Sequence, residues 1–213
     1  LHMTLEALGI PEDILNYIRA LYAYIHCSIS CGGKLHEGFD ITAGIRQGCP
    51  LSPLLFAVVS DILLRRLKRI STDTVIRAYA DDVALVIRRG YEDLPPLETT
   101  LSEYAVISGL RLNLGKSVVV PLHTDDLEAS RSRFTATAPT WQAMVFRFNA
   151  KYLGFHLGPE RNQKSWEKPL QNYLNRCREW GRSGSGLQHA LIAYSVYAFS
   201  TLTFVAQLED PPE

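Results

Sequence analysis

A chain of 213 residues that is 46% apolar and 21% charged has room for one domain or a little more, and it is too apolar to stay disordered. The 22 basic and 22 acidic residues cancel, which excludes a uniformly basic protein that coats nucleic acid by charge alone. No run reaches the roughly 18 apolar residues of a membrane span, Leu1-His2-Met3-Thr4 reads as neither a signal nor a transit peptide, and the four cysteines make no disulfide framework, so a reduced, intracellular setting fits.

The cancelled charge is unevenly spread. Residues 1–43 carry two basic against five acidic side chains, and residues 44–90 carry eight against four. Residues 91–130 carry two against seven, and 147–182 carry eight against three. An anionic partner would meet two basic segments.

Residues 11–24 read as a helix: Pro11 suits its first turn, Glu12 and Asp13 its positive end, and Ile14, Leu15, Ile18, Leu21 and Tyr22 form one apolar stripe. Residues 25–31 and 37–43 alternate like strands around the turn Cys31-Gly32-Gly33-Lys34. Cys27 and Cys31, with His26 and His36 nearby, raise the question of zinc. Along a strand those two sulfurs would lie about 13 Å apart, too far for one tetrahedral ion, so no structural zinc is expected.

Two glycines and two prolines exclude a regular element from Gly44-Ile45-Arg46-Gln47-Gly48-Cys49-Pro50-Leu51-Ser52-Pro53. Ser52 reads as the N-cap of an amphipathic helix with Pro53 first, Leu54, Leu55, Val58, Val59, Ile62, Leu63 and Leu67 facing inward, and Lys68 and Arg69 at its negative end. A glycine-bearing loop that opens a helix offers free N–H groups to an anion.

The stretch Val75-Ile76-Arg77-Ala78-Tyr79-Ala80-Asp81-Asp82-Val83-Ala84-Leu85-Val86-Ile87 reads as two apolar strands meeting at a two-carboxylate tip, a hairpin expected to be buried. Ionised carboxylates in such a place need a cation or donors, and a hard divalent ion such as Mg²⁺ takes a few carboxylate oxygens together with waters or phosphates. An Asp-Asp pair is also an ordinary turn sequence.

A helix over about 93–108 follows, stopped by Gly109. A strand at 118–120 comes next, then a polar, irregular stretch at 123–143 that looks like a surface insertion. Residues 146–157 alternate again and contain the hairpin Tyr152-Leu153-Gly154-Phe155-His156-Leu157-Gly158. Two helices close the chain, about 160–180 with a basic face (Arg161, Lys164, Lys168, Arg176, Arg178) and about 186–207, apolar and aromatic. Tyr194, Tyr197, Phe199 and Phe204 in the latter read as core rather than as stacking platforms.

Four stretches in this order resemble the reverse transcriptase domain of non-LTR retrotransposons. The resemblance covers nearly the whole chain, and the ordered set is more specific than any one motif. The 44–53 stretch is similar to the loop and helix that hold the template base and incoming nucleotide, which implies binding roles for Arg46, Gln47, Gly48, Pro50 and Ser52. Tyr79-Ala80-Asp81-Asp82 resembles the metal-binding tip of the palm. Asp81 is then the firm ligand and Asp82 the auxiliary one, with Tyr79 beside the nucleotide. Gly109 through Lys116 resembles the palm segment whose lysine assists the leaving pyrophosphate, and Tyr152-Leu153-Gly154 resembles the primer grip.

What the resemblance implies is an α+β fold. Residues 1–158 would be partial fingers and palm, an antiparallel sheet with packed helices, and residues 159–213 the start of a helical thumb. The implied activity is RNA-directed DNA polymerase, a two-metal nucleotidyl transfer with Mg²⁺ (or Mn²⁺) as cofactor and RNA template, DNA primer and dNTPs as partners. The chain departs from the family pattern before residue 11, where no strand with a further catalytic aspartate precedes the first helix. Asp40, Asp61, Asp73 and Asp93 are poorly placed to replace it. The expectation is therefore a partial domain, lacking the N-terminal fingers and first palm strand and weak or inactive alone. A catalytically dead nucleic-acid-binding remnant and another palm-type enzyme, such as a nucleotide cyclase, remain alternatives. The resemblance points to the nucleus as compartment without assigning it.

Overall fold

A computed structural model describes residues 1–42, 44–71 and 73–212. They fall into two compact units, 1–110 and 111–213.

The first unit begins with α1 (His2–Ala7) and α2 (Glu12–Ala23). Pro11 is the extended residue before α2, and Glu12 and Asp13 occupy the first turn as the dipole favours. Leu15 and Ile18 are buried with Leu5 and Leu55, and Ile10, Tyr22, Leu51 and Val58 pack around them. Ile14, expected on the apolar stripe, is 50% exposed, because the buried stripe runs through Leu15 and Ile18. Strands β1 (His26–Cys31) and β2 (Lys34–Asp40) form a hairpin closed by Gly32 and Gly33 at φ +58° and +76°, which suits a two-residue turn with both dihedrals positive. β2 ends at Asp40, short of the predicted 43, and Ala43 itself lies outside the described residues.

Helix α3 (Ser52–Ile70) buries Leu55, Leu63 and Leu67, with Lys68 and Arg69 in its last turn. Leu54 and Ile62, expected inside, are 61% and 40% exposed. Strands β3 (Val75–Tyr79) and β4 (Asp82–Val86) make the second hairpin, in register from Val75 opposite Val86 to Tyr79 opposite Asp82. Helix α4 (Leu94–Ser108) buries Leu94, Leu97, Thr100 and Tyr104, while Ile107 lies outside. It ends as predicted at Gly109, whose φ of +75° is the left-handed conformation of a helix stop. Tyr104 donates to the Val59 carbonyl, and Arg66 pairs with Glu103, joining α3 to α4.

In the second unit, β5 (Val118–Val119) pairs in parallel with β6 (Val145–Phe146). The stretch between them is not the irregular insertion expected at 123–143. It contains α5 (Leu127–Thr137), whose N-cap Asp126 accepts from the Ala129 N–H, and a 3₁₀ turn at Pro139–Trp141. Phe134 and Trp141 are buried, with ring centroids 6.2 Å apart, and Phe146 meets Phe134 edge-on at 5.3 Å. Strands β7 (Ala150–Tyr152) and β8 (Phe155–Leu157) form the predicted hairpin.

Helix α6 (Lys164–Gly181) follows. The single helix expected over 186–207 is instead α7 (Gly186–Ala193), a π-helical segment Tyr194–Phe199, α8 (Ser200–Thr203) and a 3₁₀ turn Val205–Gln207. The predicted 159–213 region ends at Glu213, which lies outside the described residues. Among the described residues no helix is long and apolar enough to cross a membrane.

Candidate active site

The β3–β4 hairpin carries the aspartate pair at its tip. Tyr79 and Asp82 are the last paired residues, so Ala80 and Asp81 alone make the turn. Ala80 adopts φ +50°, a conformation costly for a residue with a Cβ. The hairpin is not buried, contrary to the expectation. Tyr79 is 68% exposed, Val83 45% and Val86 46%, and Asp81 and Asp82 are both exposed. Among the described residues the two strands pair only with each other. Burial therefore cannot be what demands a cation at this tip. The carboxylates stay hydrated, and neither pairs with a cation of the described residues.

The donor chemistry fits a hard ion in an open way. Mg²⁺ is commonly held by one or two carboxylates while waters and substrate phosphates complete its shell. Among the described residues, no group of three or more His, Cys, Asp and Glu side chains could hold a metal alone. Three of the four alternative aspartates are engaged or withdrawn: Asp40 lies 2.8 Å from His26 Nδ1, Asp61 accepts from Arg65 Nε at 2.6 Å, and Asp93 is 7% exposed, while Asp73 is exposed in the turn before β3.

The 44–51 loop turns on Gly44 and Gly48, at φ +96° and +82°, and enters α3. Gln47, Gly48 and Pro50 are exposed. Arg46 is half-buried, and its Nη1 donates to the Leu21 carbonyl at 3.4 Å, so part of this cation is used inside the protein. Ser52 is not the predicted cap. Leu51 takes the N-cap position with no side-chain cap, and Ser52, 4% exposed, places its hydroxyl 2.9 Å from that of Tyr22. Cys49 sits between these residues, and its thiol is held below the usual range by the backbone of Leu51, with Ser52 and the Arg46 charge adding to the effect.

Lys116 lies in the second unit, in an exposed turn before β5, where its backbone N–H bonds Asn113. Tyr152, Leu153, Gly154 and Phe155 form one tight turn, with Leu153 at φ +46° and Gly154 at φ +96°. Its setting was not visible in the sequence. A Cβ on Gly154 would lie 2.7 Å from the ring of Phe204, and the Phe155 and Phe204 rings are 5.2 Å apart. Next to it the buried Ser165 hydroxyl accepts from the His156 N–H and donates to Glu209, both at 2.8 Å.

On α6, Lys164, Lys168, Gln171, Asn175 and Arg178 follow one another at spacings of three and four, hence along one stripe. Arg176, predicted to belong to the basic face, instead lies 5.0 Å over the Tyr197 ring and donates to its carbonyl at 2.6 Å. Tyr173 donates to Tyr194, and this bond foremost, with the neighbouring Cys177 and partial burial adding, pushes the pKa of its hydroxyl up to about 12. The C-terminal aromatics are thus engaged with one another while staying half exposed.

Comparison with known proteins gives a consistent result. A family model described as reverse transcriptase (RNA-dependent DNA polymerase) matches residues 1–157. The chain is similar to the transposon TX1 uncharacterized 149 kDa protein of Xenopus laevis, 29% identical over 166 residues, covering 74% of this chain and 12% of that protein. It is also similar to the retrovirus-related Pol polyprotein from type-2 retrotransposable element R2DM of Drosophila melanogaster, 37% identical over 125 residues, covering 55% of this chain and 12% of the relative. A Pol polyprotein from type-1 retrotransposable element R2 of Popillia japonica is 29% identical over 128 residues, covering 56% of this chain and 21% of the relative. The matched stretch is thus a small part of each relative.

Proposed function

This chain belongs to the reverse transcriptase (RNA-dependent DNA polymerase) family, of the non-LTR retrotransposon type, and from that premise we propose that it carries the aspartate tip and nucleotide loop of an RNA-directed DNA polymerase. The observation that carries the reading is the β3–β4 turn, which exposes Asp81 and Asp82, neither of them paired with a cation of the described residues. Asp81, inside the two-residue loop, is the metal ligand, and Asp82, in the last strand pair, is its helper. A bound Mg²⁺ or Mn²⁺ supplies a lowered pKa for the primer 3′-hydroxyl and neutralises charge on the leaving pyrophosphate.

The remaining roles belong to the chain itself. Gln47, Gly48 and Pro50 line the exposed face of a loop that opens α3, where the positive end of the helix dipole and the half-engaged Arg46 favour an anionic nucleotide. Ser52 supports this loop from inside, and Tyr79, an exposed ring paired with Asp82, takes the role beside the nucleotide. Lys116 is exposed and free to give a proton to the departing pyrophosphate. Tyr152, Leu153 and Gly154 grip the primer end. The α6 stripe of Lys164, Lys168 and Arg178 takes template and primer phosphates, and residues 159–213 serve as the start of a thumb.

The test is primer extension by the full-length protein on matched RNA and DNA templates with dNTPs and Mg²⁺. Extension on RNA that disappears on Mg²⁺ chelation supports the reading. Binding of template and primer with no extension favours the non-enzymatic remnant. Salt dependence checks the α6 role: replacing Lys168 and Arg178 with alanine should lower the slope of log affinity against log salt by about 1–2.

A further inference from the structure

The 44–52 loop is fastened at both ends to one turn of one helix. Near its start, Arg46 donates to the carbonyl of Leu21 at 3.4 Å. At its end, the Ser52 hydroxyl lies 2.9 Å from that of Tyr22. Leu21 and Tyr22 are adjacent residues of the last turn of α2. Between the two anchors the Ser52 N–H donates to the Cys49 carbonyl at 3.1 Å, and Gly44 and Gly48 add freedom rather than rigidity. Ser52 is 4% exposed, and Tyr22 packs against the Leu15, Ile18 and Leu55 cluster, so the pair sits on a rigid base.

We infer that Tyr22 is a positioning residue of the polymerase site, a hydroxyl that never touches substrate but fixes the end of the loop where Gln47, Gly48 and Pro50 meet the nucleotide and template. A loop held in its binding shape loses less freedom when it binds than one that must be ordered first. The inference rests on the reading of this loop as the nucleotide and template contact.

Tyr22→Phe tests it with little disturbance, because the ring that packs on the core remains and only the hydroxyl is lost. In the full-length protein this variant should raise KM for the incoming dNTP by about three- to tenfold, with kcat within about twofold. Ser52→Ala should do the same, the double variant should be no worse than either single one, and Ser52→Thr should restore function. Hydrogen exchange should speed up at the amides of residues 44–51 while the interiors of α2 and α3 keep their protection. Gln47→Ala is the control for the underlying reading. If it raises KM but Tyr22→Phe leaves KM and loop exchange unchanged, the positioning role is wrong and the loop reading stands. If Gln47→Ala has no effect on nucleotide or template, the loop reading fails and the inference falls with it.

Discussion

Tyr79 and Asp82 face each other as the last pair of the β3–β4 hairpin, which leaves Ala80 and Asp81 as the whole turn. One consequence is that a non-glycine residue is forced to φ +50° directly before the proposed metal ligand. Relief of that conformation in Ala80→Gly outweighs the extra entropy glycine loses on folding, and the variant should be more stable by about 0.5–1 kcal/mol. Denaturant titration checks this. An unchanged or lower midpoint would mean that the turn holds no strain.

The Leu153-Gly154 turn depends on absence of a side chain. Gly154→Ala must place a Cβ where the Phe204 ring is, 2.7 Å away, at a φ of +96°. A loss of about 1–3 kcal/mol in the chemical melt is expected. Phe204→Leu in the same chain should recover part of it by removing the clash, while the dihedral strain remains. Full additivity of the two losses would show that ring and turn do not touch.

Cys49 gives a pH-dependent handle on the 44–52 loop. The Leu51 backbone, chiefly, holds its thiol below the usual range. With the folded pKa depressed, the thiolate is the form that folding favours, and it appears at lower pH than in the unfolded chain. Alkylation of Cys49 by iodoacetamide should therefore rise with pH through a midpoint below that of the same cysteine in denaturant. Arg46→Gln should move the midpoint upward by removing the nearby positive charge. Equal midpoints for folded and unfolded chain would remove the assigned cause.

Elements set by local rules were legible in the sequence. Gly109 stops α4, Gly32 and Gly33 turn β1 into β2, and Tyr152-Leu153-Gly154-Phe155 makes a hairpin, each because a few neighbouring residues decide the backbone. The failures share a different origin. Ser52 has the chemistry of an N-cap, but Tyr22, thirty residues earlier, takes its hydroxyl. The apolar strands around Asp81 and Asp82 read as buried, yet burial depends on what lies over them, and alternation alone does not say. Helix α5 was missed because so few of its residues are apolar, although Asp126 before Glu128 was a start signal. The wider hydrogen-bond spacing at Tyr194–Phe199 leaves no trace in an apolar run, and the Phe204–Gly154 contact spans fifty residues.

The central claim is that Asp81 holds the ion used for nucleotidyl transfer. Its most direct test is RNA-templated primer extension by the full-length protein and its Asp81→Asn variant, with template–primer affinity measured in parallel. Because Asp81 is exposed in a two-residue turn, the substitution should leave folding and nucleic-acid binding intact. The account predicts that extension falls by about 100-fold or more, several kcal/mol of lost transition-state stabilisation, at unchanged template–primer affinity. Extension at the wild-type rate by Asp81→Asn would contradict it.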